Sequence, residues 1–236
     1  YVVSGIDWGG SDHNPATRTK QSYTVHAIIG VRPGPAVDIL HLERYSGMGY
    51  REIVASIARD HKMFGGNVMA SDFAAGSLYN LLIREQPGID PYKHLIFGYG
   101  GQSAIPITEP EGDSLFNQFT LNRNETISQL LEAIKEVPAR WRCFRWEEAS
   151  SYLLDFLNSY RIIHEDTVTG KTSLRFIRAS NKADDAMHAL NLAYVAGRLA
   201  MGVPLCADRK LFDTILKRIR GGSPAYMGKA PPLVWG

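Results

Sequence analysis

Three aspartates, Asp7, Asp72 and Asp185, stand where a carboxylate is out of place, and together they suggest metal-dependent phosphodiester chemistry. Asp7 falls inside an apolar run, VVSGIDW at 2–8, that reads as a buried strand. Period-2 alternation puts it on the same face as Val3 and Gly5. Gly9 and Gly10 follow and leave room for an ion and a phosphate near the backbone. Asp72 ends a short strand at 67–71 and precedes Phe73 and a helix. An acid at the C-terminal end of a sheet strand is well placed for ligand chemistry in α/β folds. Asp184 and Asp185 open an Ala- and Leu-rich helix over 182–201. In that register Asp185 shares a stripe with Ala189, Leu192, Ala196 and Leu199. Asp184 is rotated away by one residue step, about 100°. Each acid alone also fits a bland role, as a turn residue, a cap or a complement to the helix dipole.

An inward carboxylate left unpaired costs several kcal/mol, so a shared cation is one natural partner. Acids from an early strand, a middle strand end and a late helix match the layout of a two-metal phosphodiesterase. Hard oxygen ligands favour Mg²⁺ or Mn²⁺ over zinc. The catalytic candidates are therefore Asp7, Asp72 and Asp185, with Asp184 added to the metal set. Lys182, His188 and Asp12 are accessory candidates. Lys171, Arg175, Lys217, Arg218 and Arg220 are candidates for DNA contact, the last three forming a basic cluster near the C-terminus that also suits a solvated helix end.

The elements that must position these residues follow from periodicity. Strands are expected at 2–8, 23–31 and 36–45, joined as an antiparallel meander around the turn Pro33-Gly34-Pro35. A helix at 50–64 carries Ile53, Ile57, Ala58 and His61 on one face and ends at Gly65-Gly66. A strand at 67–71, a helix from Ser77 to Glu85 and a strand at 94–98 come next. Residues 99–113 read as irregular. Helices are expected at 123–136 and 147–158, and a hairpin at 161–165 and 173–178 around Thr169-Gly170-Lys171. The helix at 182–201 follows, with a shorter one at 208–219. The tail from Gly221 contains Pro224, Pro231 and Pro232 and reads as a flexible arm, leaving 1–220 as the domain. Strands followed by alternating strands and helices imply a mixed α/β sheet with helices on its faces.

Composition narrows the class further. The 236 residues suit one large domain, with 44% hydrophobic and 21% charged residues typical of a globular chain. No apolar run approaches the ~18 to 20 residues needed to span a bilayer. The net charge of +2 makes no strong case for nucleic acid. Cys143 and Cys206 form no C-x-x-C pair, which argues against a cysteine zinc site and suits a reducing compartment. Tyr1, in place of Met, suggests a cut point in a longer protein.

The three acidic segments, GIDWG around Asp7, SDFAAG around Asp72 and ADDAMHALNLAY around Asp185, resemble the motifs of the nuclease domain of the tailed-bacteriophage terminase large subunit. The resemblance runs from the first strand through the helix at 182–201, and the hairpin at 161–178 is similar to that family's hairpin near the active site. It implies a ribonuclease H-like fold related to Holliday-junction resolvases, two divalent cations, and cutting of concatemeric double-stranded viral DNA during packaging. It also implies an ATPase domain, a portal and a small terminase subunit as partners in the full protein, and a place at the procapsid portal in the host cytoplasm. The isolated domain is expected to be monomeric and not membrane-bound. The ATPase loop itself is missing: EDTVTGKT at 165–172 has Glu165 in place of the first glycine and sits in a hairpin. Two other readings remain. Gly5 to Gly10 is similar to the phosphate strand of actin-like ATPases and sugar kinases, although no second phosphate loop is apparent. A catalytically inactive ribonuclease H-like docking module is the other.

Overall fold

The computed structural model describes residues 1–9, 23–34, 36–73, 77–100, 117–165, 170, 172–180, 182–203, 205 and 209–221. Three strands open the chain: β1 (Val2–Asp7), β2 (Thr24–Val31) and β3 (Val37–Tyr45). They form the expected antiparallel meander, with Asp7 paired to Val25 and Ile28 to His41. Helix α1 (Tyr50–Met63) leads to β4 (Val68–Asp72), then α2 (Ser77–Arg84) and β5 (His94–Tyr99). After β6 (Asn117–Leu121) come α3 (Arg123–Lys135), β7 (Trp141–Cys143) and α4 (Trp146–Leu153). A 3-10 turn, Leu154–Asn158, enters the hairpin β8 (Ser159–Glu165) and β9 (Thr172–Arg178). Helices α5 (Asp185–Ala200) and α6 (Arg209–Gly221) complete the described chain.

Seven strands form one mixed sheet in the order β6-β5-β4-β1-β2-β3-β7, and the hairpin stands apart as a two-stranded sheet. Strand β4 is parallel to β1 and to β5, so the C-terminal ends of β1, β4 and β5 lie along one edge. Side chains alternate between two cores. Val3, Val25, Val68 and Ala70 face α5, while Ile6, Trp8 and Met69 face α1 and α2.

Helix α5 is the centre of the molecule. All of its residues except Arg198 are buried. The sheet lies on one side of it, and α3, α4 and α6 contact it as well. A helix covered all round can be apolar all round, so the expected narrow stripe broadens to the whole surface. Its small residues let it sit almost on the strand. A Cβ at Gly5 would lie 2.0 Å from the carbonyl oxygen of Ala189 and 2.6 Å from the amide nitrogen of Ala193.

Four expectations needed revision. Strands β6 and β7 were not expected. Both are short edge additions, and β6 follows directly on a stretch that reads as irregular. The helix expected at 147–158 divides into α4 and the 3-10 turn. The helix expected from 182 begins at Asp185, with Asp184 in a non-helical conformation at φ −133°. The tail expected beyond Gly221 lies outside the described residues, as does Cys206. Cys143 is exposed with a free thiol.

The Gly5 contact yields a direct test. Gly5→Ala sets a methyl against helix backbone that has no rotamer to yield. The variant is expected to lose at least the ~1–3 kcal/mol typical of overpacking, seen as a lower urea midpoint with an unchanged m value. A midpoint equal to wild type would show that α5 does not press on β1.

Candidate active site

The sheet register brings the first two acids together. Ile6 pairs with Ser71 across the parallel β1–β4 ladder, so the next residues, Asp7 and Asp72, are neighbours at the strand ends. Both point to the α5 side, as do Val3 and Gly5 before Asp7 and Val68 and Ala70 before Asp72. Helix α5 runs antiparallel to β1: Ala189 and Ala193 sit over Gly5, and Gly197 lies near Val3. Its N-terminus therefore ends at Asp7. Asp185, one turn before Ala189, completes the group. A cleft of about 350 Å³ opens here, lined by Asp7, Asp72, Asp184 and Asp185. Tyr99, Arg123, Arg178, His188 and Trp8 form the rest of its wall.

Helix α5 is capped from outside. The side chain of Asp184 makes no capping hydrogen bond to the helix. Instead Asp155, in the 3-10 turn, accepts from the Ala186 amide at 3.0 Å and from Arg44 at 2.8 Å. Asp155 satisfies the helix end, and Asp184 and Asp185 both line the cleft. Both are buried, at 4% and 2% exposure, so the idea that Asp184 rotates away from the site does not hold. A helical 100° step applies only between helical residues, and Asp184 is not one.

The two neighbours nevertheless have different surroundings. Asp184 accepts from Arg123 and Arg178 at 3.3 Å each. His188 Nε2 lies 3.3 Å away, and the Ser159 hydroxyl donates at 3.4 Å. Burial raises the pKa of Asp184, but the His188 hydrogen bond and the charges of His188, Arg178 and Arg123 outweigh it, leaving it below the ordinary carboxylate value. Asp185 accepts from the Tyr23 amide at 3.3 Å and acts most strongly on Asp7. Asp7 keeps some exposure to the cleft, yet its pKa lies well above the ordinary value. Burial of its carboxyl is the main cause, followed by the charges of Asp185, Asp72 and Asp184.

Crowded hard oxygens, with the Asp7 proton held tightly, suit a divalent cation, which removes the repulsion and takes that proton's place. Among the described residues, no three of these carboxylates bring one oxygen each within 4.8 Å of one another. As placed here, the acids do not close on one ion. Asp7, Asp72, Asp184 and Asp185 are the cleft residues that could hold cations.

Sequence reasoning missed Arg123, Arg178, Tyr99 and Asn80. Arg123 is the first residue of α3, where a cation opposes the helix dipole; that mismatch is a usable signal. Asn80 joins three elements: its amide donates to the Asp72 carbonyl at 2.9 Å, and its oxygen accepts from Ser71 at 2.6 Å and Trp8 at 2.8 Å. His188, one of the accessory candidates, is in the cleft wall, 3.2 Å from the Tyr99 hydroxyl. Lys182 is exposed and is not part of the cleft lining. Arg175 is exposed on β9, whose last residue, Arg178, reaches the cleft. Lys217 and Arg220 are exposed on α6. Arg220 lies by Gly202, past the C-terminal end of α5, so the 16-residue helix, about 24 Å long, separates it from the acids. Asp12 and Lys171 lie outside the described residues, as does the side chain of Arg218.

The sequence matches no protein-family profile and no curated protein. Solved structures do resemble the fold. The large terminase nuclease from thermophilic phage G20c superposes with a TM-score of 0.52 at 18% identity, covering 82% of this chain and 81% of that one. The nuclease domain of the large terminase subunit of bacterial virus Sf6 gives 0.50 at 13% identity, covering 82% and 87%. A form of that Sf6 subunit solved with calcium gives the same values. The fold is therefore the ribonuclease H-like α/β fold of these nuclease domains.

The raised Asp7 pKa has a pH signature in the metal-free protein. Because the folded value exceeds the unfolded one, near 3.9, the native state keeps the proton longer. The resulting stability is present below the unfolded value and is lost as pH rises through the folded value. Asn mimics the protonated form at every pH. In EDTA, the melting temperature of Asp7→Asn minus that of wild type should grow with rising pH, at about 1.4 kcal/mol per pH unit of displacement. An Asp7→Asn protein that melts well below wild type at neutral pH would make Asp7 a structural hydrogen-bonding residue.

Proposed function

We propose that this chain is a metal-dependent DNA endonuclease, the nuclease domain of a phage terminase large subunit that cuts concatemeric double-stranded DNA during packaging. The observation that carries this reading is the convergence of Asp7, Asp72 and Asp185 at the strand ends of a ribonuclease H-like sheet. The likeness to two phage terminase nuclease structures supports the packaging role. The fuller assembly follows the same reading: an ATPase domain, a portal, a small subunit, and work in the host cytoplasm at the procapsid portal. Among the described residues no helix is long and apolar enough to cross a membrane.

Two Mg²⁺ or Mn²⁺ ions held by Asp7, Asp72 and Asp185, with Asp184 beside them, would supply an activated water and stabilise the leaving oxygen. The protein's own residues set the rest. Arg123 and Arg178, each partly exposed, face the cleft with their charge shared by Asp184. A backbone phosphate entering the cleft meets these guanidiniums, which match phosphate geometry. His188, between Asp184 and Tyr99, holds the Asp184 carboxylate in position. The hairpin is anchored at its base, where paired residues Ser159 and Arg178 both touch Asp184. Arg175 lies three residues further along the hairpin and extends the basic surface. Phosphate contact of this kind binds DNA with little sequence preference.

Supercoiled plasmid incubated with Mn²⁺ or Mg²⁺ should be nicked and linearised, with no cutting in excess EDTA. Asp7→Asn, Asp72→Asn and Asp185→Asn should each lower the rate by about 100-fold or more, a transition-state loss near 2.7 kcal/mol. Calorimetry with Mg²⁺ and ATP should show no micromolar binding. Cutting that survives the chelator would remove the metal mechanism, and tight ATP binding would favour an actin-like ATPase.

A further inference from the structure

On the α1 side of the sheet, away from the acidic cleft, three ligand-type side chains converge. His26 on β2, His41 on β3 and Asp60 on α1 each offer one ligand atom, and the three atoms lie within 4.8 Å of one another. His26 is fully buried and Asp60 nearly so, while His41 is partly exposed.

Two imidazole nitrogens in this group have no hydrogen-bond partner among the described residues, although both are shut off from solvent. One is His26 Nδ1, the atom left to that ring once Nε2 is taken by the Ser4 hydroxyl at 3.0 Å. The other is His41 Nε2. Its nearest acids are Glu43 at 3.6 Å and Asp60 at 3.9 Å, both beyond hydrogen-bond length. A buried polar atom left unmatched costs free energy, and two of them in one three-residue cluster require an explanation. The other contacts of Asp60 come from the Arg59 guanidinium at 3.0 Å and the Tyr45 hydroxyl at 3.5 Å. One oxygen can keep the arginine while the other takes an ion.

We propose that His26, His41 and Asp60 form a second metal site, for a divalent ion of the zinc class, chemically distinct from the acidic cleft. The cleft offers carboxylates and so selects hard cations. This site offers two imidazoles and one carboxylate, a set that suits zinc. Zinc bonds of ~2.0–2.2 Å place tetrahedral ligand atoms about 3.3–3.6 Å apart, so the three atoms close in slightly on binding. His41, partly exposed, is the least enclosed of the three. Glu43, or a water, supplies the fourth ligand. The ion is structural: it ties β2, β3 and α1 together directly behind Val25, the residue that pairs with Asp7. The site stands on its own geometry and does not depend on the nuclease reading.

The test uses Co²⁺ as a spectroscopic substitute for zinc. The full chain carrying Asp7→Asn and Asp185→Asn removes the main competing ligands. Titration with Co²⁺ should give a saturable visible spectrum of tetrahedral intensity, at one ion per chain, which added Zn²⁺ abolishes. His41→Gln, at a partly exposed position, and the near-isosteric Asp60→Asn should each weaken Co²⁺ binding at least tenfold in that background, with unchanged circular dichroism confirming the fold. Zn²⁺ should raise the melting temperature of the parent and of neither variant. Absence of saturable binding in the parent, or binding that either variant leaves unchanged, overturns the site.

Discussion

The close approach of helix α5 to strand β1 is the constraint on which the rest of the molecule depends. Gly5 has no side chain, and α5 presents alanines to it, so helix and strand backbones meet at a distance that a single added methyl would prevent. This contact sets the axial position of α5. Because α5 runs antiparallel to β1, its N-terminus comes level with Asp7. The parallel β1–β4 ladder adds Asp72 from the other side. None of these acids is near another in sequence, and packing alone brings them together.

That packing carries an electrostatic cost, which the surroundings distribute unevenly. Asp184 is the compensated acid, held by Arg123, Arg178 and His188 and ionised below the usual range. Asp7, its carboxyl buried and facing the other three carboxylates, has its proton affinity raised despite a smaller opposing influence from Arg123. Asp155 contributes indirectly by capping α5, a task that either Asp184 or Asp185 would otherwise fill. One end of the cleft thus holds an acid neutralised by arginines and the other an acid with raised proton affinity. Fixed dipoles and charges of this kind are what electrostatic preorganisation requires.

Much of this was legible in the sequence, for identifiable reasons. The meander was readable because β1, β2 and β3 alternate or run apolar between strong turn residues. Asp7, Asp72 and Asp185 were readable because each interrupts an apolar pattern. The position of Asp184 was not, because its placement depends on where α5 begins, and an outside cap supplied by Asp155 decides that. Arg178 was hidden because an arginine at a strand end looks like ordinary surface, and the dipole mismatch at Arg123 marks the residue without naming its partner. Only the third dimension shows that both converge on Asp184. Strand β7, at three residues, is too short for periodicity to reveal. Of the basic residues near the C-terminus, Arg220 lies a helix length from the cleft, which its position in the sequence does not reveal.

Diffraction from crystals grown with Mn²⁺, recorded to locate manganese by its anomalous signal, tests the central claim most directly. Two ions in the cleft are expected, about 3.5–4 Å apart, with Asp7 shared between them and Asp72 and Asp185 each on one ion. A cleft without manganese, with Asp7 hydrogen-bonded only to protein groups, would contradict the metal-centred reading of this fold.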